Sequence, residues 1–292
     1  MPTRWTKRRE TFRTLLAGDQ CLHPGSVFDP ISARIAEDLG FEMGMFAGSI
    51  ASMTVLGAPD LITLTLSEFA DQAYRISRAG ELPLLVDADH GYGNALNVMR
   101  TVEELENAGI AGLSIEDTDL PQAFGRQGKA RLLSIAEAEG KLKAALAARR
   151  DPNLVIAGRT HAGLAGPDEL IERVNCYQAV GVDAIFVVGV KTRDQLEALH
   201  ASVTLPLILG NVPATLMERD YLAAQGVRIC LQGHQPFMAA VQAVFTTLQA
   251  LRNGTAPKEL ANIAPNELIK QVTRADDYQR WMTDYLDPDK TP

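Results

Sequence analysis

The chain has 292 residues, of which 46% are hydrophobic and 22% charged, with 28 basic against 36 acidic side chains and a formal net charge of −8. That composition excludes wholesale disorder, and the acidic balance argues against nucleic acid as a partner. No apolar run approaches the ~18 residues that a membrane span needs.

The basic N-terminal stretch, with Arg4, Lys7, Arg8, Arg9 and Arg13, has no apolar segment behind it, so a secretory signal is not expected. It reads as an amphipathic first helix with Trp5, Phe12, Leu15 and Leu16 facing a core, a transit peptide being the alternative. Short, unalternating apolar runs then recur at Ser26–Phe28, Met43–Ala47, Leu84–Asp87, Gly112–Ile115, Leu154–Ala157, Ala184–Val188, Leu205–Leu209 and Val227–Leu231. Runs of this kind suit strands buried on both faces of a parallel sheet. Helical stretches separate them. Thr65 with Glu68, Ser134 with Glu137 and Thr192 with Gln195 have capping-box spacing, and Pro167 followed by Asp168 and Glu169 suits a first helical turn. Eight strand-plus-helix units predict an α/β fold, a (β/α)8 TIM-type barrel over residues 1–252. From Asn253 the pattern breaks, and residues 253–292 are expected to form a helical arm, with Tyr278, Trp281 and Tyr285, that packs on the barrel or on another subunit. Cys21, Cys176 and Cys230 are odd in number and lack metal-ligand spacing, so reduced thiols in the cytoplasm are expected.

In such a barrel the active residues stand at the C-terminal ends of the strands. Polar residues come directly after five of the runs: Gly48-Ser49 after the second, Asp87-Ala88-Asp89-His90-Gly91-Tyr92-Gly93 after the third, Glu116-Asp117 after the fourth, Arg159-Thr160-His161 after the fifth and Gly233-His234 after the eighth. Asp87, Asp89 and Glu116 on neighbouring strand ends would repel one another without a cation. Hard oxygen ligands without paired His or Cys favour Mg²⁺, or Mn²⁺, over Zn²⁺. A solvated strand-end turn is the plainer alternative. Arg159, ending an apolar strand, needs an anion; a structural pair with Glu116 or Asp117 and a substrate carboxylate both qualify. His234 is a candidate by its place after the eighth strand, and the small residues around Ser49 could hold an anion. The long connection from Thr118 to Arg131, with Gly125 and Gly128 as hinges and Arg126, Lys129 and Arg131 as cations, suits a lid.

These residues resemble the isocitrate lyase / phosphoenolpyruvate mutase superfamily, carried by Gly48-Ser49, the segment Asp87 to Gly93, Ile115-Glu116-Asp117 and Arg159-Thr160. Within it the chain is most similar to the oxaloacetate decarboxylase family, through Val27-Phe28-Asp29-Pro30, Ser32 to Ala36, Gly93 to Val102 and Gly233-His234. The resemblance implies a barrel whose last helix is swapped between subunits, in a homotetramer built as a dimer of dimers. It implies Mg²⁺ on Asp87, with Asp89 and Glu116 reached through water, and substrate contacts from Ser49, Arg159 and His234. The expected reaction is decarboxylation of a 2-keto dicarboxylate such as oxaloacetate to pyruvate and CO₂ through a metal-stabilised enolate, with Arg159 and His234 as the catalytic side chains. The alternatives are a C–C bond lyase or a P–C bond mutase or hydrolase of the same superfamily, and a non-catalytic anion-binding barrel. The lid separates them. Lyases of the isocitrate type carry a Lys-Lys/Arg-Cys-Gly-His loop, where this chain reads Phe124-Gly125-Arg126-Gln127-Gly128-Lys129; phosphonate mutases rely on a lid asparagine, and none occurs between residues 118 and 131. Gly158, His161 and Gln232 depart from the decarboxylase pattern.

Overall fold

The computed structural model describes residues 5–125, 128 and 130–287. All eight apolar runs form strands: β1 (Gly25–Ser26), β2 (Gly44–Phe46), β3 (Leu84–Asp87), β4 (Gly112–Glu116), β5 (Val155–His161), β6 (Ala184–Val188), β7 (Leu207–Gly210) and β8 (Val227–Cys230). They pair in parallel in sequence order. An isolated bridge, Leu22 with Ile229, ties the chain just ahead of β1 to β8. The strands are nearly continuous Val, Ile and Leu because the lumen takes one face and the helices the other; Leu85, Leu113, Ile156, Ile185 and Ile208 are completely buried.

Two differences from the sequence expectation bear on the site. β1 stops at Ser26, so Val27 and Phe28 leave the sheet. β5 runs on through Arg159, Thr160 and His161, so Arg159 stands inside a strand and not at its end, paired in register with Glu116 on one side and Phe186 on the other. A basic residue is tolerated there because its own neighbours neutralise it.

Side-chain caps start the helices between the strands. Thr65 and Glu68 close a full capping box, whereas Ser134 and Thr192 each cap through one hydrogen bond, to Glu137 N and Gln195 N. Asp29 with Ser32 and Asn94 with Asn97 form two further boxes. In both, the third residue is Ser or Asn in place of Glu or Gln, which is why the spacing rule passes over them.

The first helix, Thr6–Ala17, buries Phe12 and Leu16 as expected, but also Arg8 and Arg9. Arg8 donates to the carbonyls of Ser77 and Gly80. Arg9 donates to the carbonyls of Ile110 (3.0 Å) and Glu106 (2.6 Å) and to Asp151 (2.8 Å). Arg13 reaches Asn153 O and Asp183. Arg8, Arg9 and Arg13 therefore staple carbonyls at turns leading into the strands.

The chain divides into two compact units, Met1–Gln235 and Pro236–Pro292. The second holds most of the helix Gln235–Arg252 and the short helices Asn266–Thr273 and Ala275–Leu286, which meet at Arg274, where φ is +60°. Among the described residues no helix is long and apolar enough to cross a membrane.

Replacing Arg9 by Met removes one partner of a buried ion pair and takes a donor from the carbonyls of Ile110 and Glu106. A loss of about 3–5 kcal/mol in unfolding free energy is expected from urea denaturation, against less than about 0.5 kcal/mol for the exposed Lys7→Met.

Candidate active site

The C-terminal ends of the strands surround one large cavity of about 920 Å³. Ser49, Asp87, Asp89, Glu116, Arg159 and His234 all line it. The structure thus brings together every site residue expected from the sequence.

β3, β4 and β5 place the charges. Because side chains alternate across a strand, Ser114 and Glu116 share the lumen face, and the register sets Ser114 beside Asp87 and Glu116 beside Arg159. Ser114 Oγ donates to Asp87 Oδ1 at 3.1 Å. Arg159 Nη1 donates to Asp87 Oδ2, and Nη2 pairs with Glu116 Oε2 at 3.1 Å. The guanidinium lies 5.4 Å from the ring centre of Phe186, the neighbour that β6 supplies. Of the two structural partners considered for Arg159, Glu116 is real and Asp117 is not. Asp117 points to the helices, where it accepts hydrogen bonds from Thr160 Oγ1 (2.8 Å), Arg173 Nη1 (3.0 Å) and Tyr177 OH (2.5 Å).

Asp89 sits past the end of β3 with φ +47°, a conformation that Asp accepts more readily than most residues. Its carbonyl accepts from Glu116 N at 2.8 Å, and its N–H donates to Asp87 Oδ1 at 3.2 Å. Its carboxylate lies against the backbone of Gly48, where a Cβ would stand 2.4 Å from Oδ2. Gly48 is therefore required for close approach. It opens a short helix, Gly48–Ala51.

Three of the carboxylates that line the cavity are displaced upward. Burial, then Asp87, Glu116 and Asp60, push Asp89 well above the usual range. Burial outweighs the attraction of Arg159 and takes Glu116 to about 7. Asp60 is raised by burial and by Asp87. Asp60 also lines the cavity, and sequence reasoning missed it. It lies well beyond β2 in a stretch without periodicity, and its only signal is Pro59-Asp60 ahead of the capped helix at Thr65. On His234, burial favours the neutral ring against Asp87 and Asp60, and its Nδ1 lies 3.1 Å from Ser26 Oγ.

His90 and His161 do not line the cavity. His90 is buried with its ring centre 6.0 Å from that of Tyr92, and burial pushes its imidazole down to about 4. His161 Nδ1 accepts from Gly163 N. The expected lid contributes Asp119, Leu120, Gln122, Gly128 and Ala130 to the cavity wall. Its two ends are tied by the bridge between Thr118 and Leu132 and by the 2.5 Å pair of Arg131 with Asp119. Arg126, Gln127 and Lys129 lie outside the described residues.

Four carboxylates, Asp60, Asp87, Asp89 and Glu116, face one guanidinium here, and their donors are hard oxygens. That donor chemistry fits Mg²⁺ or Mn²⁺. Among the described residues no three His, Cys, Asp or Glu side chains are placed as a metal cage.

A family model described as phosphoenolpyruvate phosphomutase matches residues 12–252. The oxaloacetate decarboxylase of Rhodopseudomonas palustris (strain BisA53) is 58% identical over 273 residues, 93% of this chain and 94% of that protein. Among solved structures, oxaloacetate acetylhydrolase with the inhibitor 3,3-difluorooxalacetate has a TM-score of 0.83 at 29% identity, covering 94% of this chain and 96% of that one. A phosphonopyruvate hydrolase complex with oxalate and Mg²⁺ also has a TM-score of 0.83 at 29% identity, covering 96% and 99%.

Glu116 makes the stability of the metal-free protein depend on pH. The unfolded chain loses this proton near the ordinary 4.5, whereas the folded protein keeps it to about 7. The unfolded state therefore binds fewer protons in that interval, and stability falls as pH rises through it. In EDTA, urea denaturation at about pH 5 and about pH 7 should show that fall in the wild type and a smaller one in Glu116→Gln.

Proposed function

The chain belongs to the phosphoenolpyruvate phosphomutase family, and we propose that within it this enzyme is a carboxy-lyase that decarboxylates oxaloacetate to pyruvate and CO₂. The observation that carries the reading is a fixed guanidinium set among four carboxylates, Asp60, Asp87, Asp89 and Glu116, in a cavity whose described wall contains no cysteine. That cluster binds a small dianion only with added positive charge. The name of the 58%-identical relative supports the same substrate.

Asp87 would hold Mg²⁺, or Mn²⁺, with Asp89 and Glu116 reached through water, and the Mg²⁺ in the phosphonopyruvate hydrolase complex supports that choice of ion. When bound, the ion supplies Lewis-acid stabilisation of the negative charge that develops as CO₂ leaves. Arg159 is held by Asp87 and Glu116 and stacked near Phe186, so it adds a positive charge that needs no reorganisation during the reaction. Ser49 orients the C1 carboxylate. His234, neutral through burial, meets the departing carboxylate. The C3–C4 bond breaks, its electron pair passes into the enolate, and C3 then takes a proton from water. No covalent nucleophile is required. The segment 118–131 contains neither the cysteine of the isocitrate-type lyases nor the asparagine of the phosphonate mutases, which disfavours both alternatives.

The assembly belongs to the same reading. No residue of the helix Gln235–Arg252 is buried, and Val241, Val244, Phe245 and Leu248 are exposed on it. An apolar face of this extent is covered in a partner-bound state, as expected for a helix swapped between subunits of a homotetramer. Three free thiols support a cytoplasmic location.

Pyruvate release from fresh oxaloacetate tests the reaction, with enzyme and Mg²⁺ set against EDTA and metal-only blanks. Saturable, EDTA-sensitive turnover is expected. Asp87→Ala should abolish it in a folded protein, and Arg159→Ala should lower kcat about 10²-fold or more. Full activity in Asp87→Ala would remove the metal assignment, and no turnover above the metal blank would remove oxaloacetate as substrate.

A further inference from the structure

We infer that Ser26 is a positioning residue for His234: it holds the imidazole across the barrel seam and fixes the tautomer that carries its proton on Nε2. The inference rests on His234 serving the substrate, as proposed above.

The seam is the weak junction of the barrel. Every other neighbouring pair of strands is joined by a ladder of at least two residue pairs, whereas among the described residues β8 meets the chain just ahead of β1 through the Leu22–Ile229 bridge. Its backbone bonds, Leu22 N to Arg228 O (2.8 Å) and Cys230 N to Leu22 O (2.9 Å), end at Cys230. Beyond it, Leu231 N is tied to Leu209 O of β7 at 2.9 Å. Gly233, with φ +83°, then turns the chain into His234. On the opposite side of the seam, Ser26 is fixed by its register with Met45 and by the bond from Val27 N to Met45 O at 2.9 Å. The contact of Ser26 Oγ with His234 Nδ1 is thus a side-chain tie at the end of the seam where the backbone ties have stopped.

The same contact orients the ring. His234 lines the cavity and Ser26 does not. An imidazole carries its nitrogens on different edges, so engagement of Nδ1 by the strand leaves Nε2 for the substrate. Among the described residues the Ser26 hydroxyl makes one hydrogen bond, to this nitrogen. With the hydroxyl as donor to Nδ1, the assignment inferred here, the proton of the neutral ring sits on Nε2. His234 then offers a carboxylate an N–H, where the other tautomer would offer a lone pair. His23, on the same seam, shows the opposite arrangement. Its Nδ1 lies 2.7 Å from the carbonyl of Cys230, which can only accept, so His23 carries its proton on Nδ1. The protein contains its own reference for both tautomers.

Long-range ¹H–¹⁵N spectra of the full-length protein with labelled histidine, at about pH 8 where a neutral imidazole is favoured, test this directly. His234 is assigned by loss of its signals in His234→Gln. The expected pattern is Nε2–H for His234 and Nδ1–H for His23. In Ser26→Ala, His234 should shift toward a tautomer mixture while His23 stays unchanged. The kcat/KM for oxaloacetate should fall about 3- to 10-fold, the range one net hydrogen bond covers, and Ser26→Thr should restore both readouts. An Nδ1–H pattern for wild-type His234, a tautomer unmoved by Ser26→Ala, or a moved tautomer with unchanged kcat/KM would each overturn the inference. The spectra need no turnover. A wild type inactive on oxaloacetate but showing the expected tautomers would therefore overturn the proposed function and leave the Ser26 assignment supported.

Discussion

The site depends on one charge. Arg159 is the guanidinium that faces Asp87 and Glu116, with Asp89 and Asp60 close behind. Removing a guanidinium from water costs several kcal/mol, and a buried ion pair repays that only with good geometry. Here two carboxylates receive its two terminal nitrogens, and the Phe186 ring covers one flank. The carboxylates still outnumber the cation. Burial, reinforced by the neighbouring carboxylates, pushes Asp89 and Asp60 upward and takes Glu116 to about 7. Like charges assembled by a rigid scaffold form a standing demand for positive charge, and a divalent ion is the compact way to meet it.

The rigidity comes from the strand alternation that exposes these groups. Glu116 and Arg159 face the lumen; the next residues, Asp117 and Thr160, face the helices and are hydrogen-bonded to each other. Asp117 also receives Arg173 and Tyr177 from the helix Pro167–Val180. Arg173 donates in turn to Leu133 O, at the base of the lid segment. Glu116 and Arg159 thus each have a buried anchor one residue away, so a small displacement on the helix side would move a charge on the lumen side. Gly48 has a related role through size alone, because the Asp89 carboxylate occupies the space a side chain would need.

Much of this is legible in the sequence. Two-sided burial makes strands stand out as apolar runs, and polar residues placed after them in a barrel must gather at one end. Ser49, Asp87, Asp89, Glu116, Arg159 and His234 can therefore be named from the order of residues alone. The features that escape do so for physical reasons. Arg159 reads as a strand end because charge is normally a boundary signal, but its neutralising partners lie 43 and 72 positions away, where no local window finds them. Asp60 lies in irregular chain, which periodicity cannot position. Ser26 is one serine among many until the seam brings it to His234. Arg8 and Arg9 belong to a basic run that local reading assigns to solvent, and only the carbonyls of distant turns show why they are buried.

The thiols bear on the type of reaction. Cys21 and Cys230 are buried beside the seam, and burial raises them to about 11 and about 12, so neither is a thiolate near neutrality. Neither lines the cavity, nor does Cys176. A C–C lyase must deliver a proton to a carbanion held away from water, which calls for a dedicated acid at the lid. Decarboxylation asks for less: the leaving group is neutral CO₂, and the enolate can wait for water to protonate it. A site strong in charge stabilisation and without a thiol acid matches the second demand. The segment 118–131, with glycines at 125 and 128 and no cysteine, accordingly supplies no thiol acid, and decarboxylation asks for none.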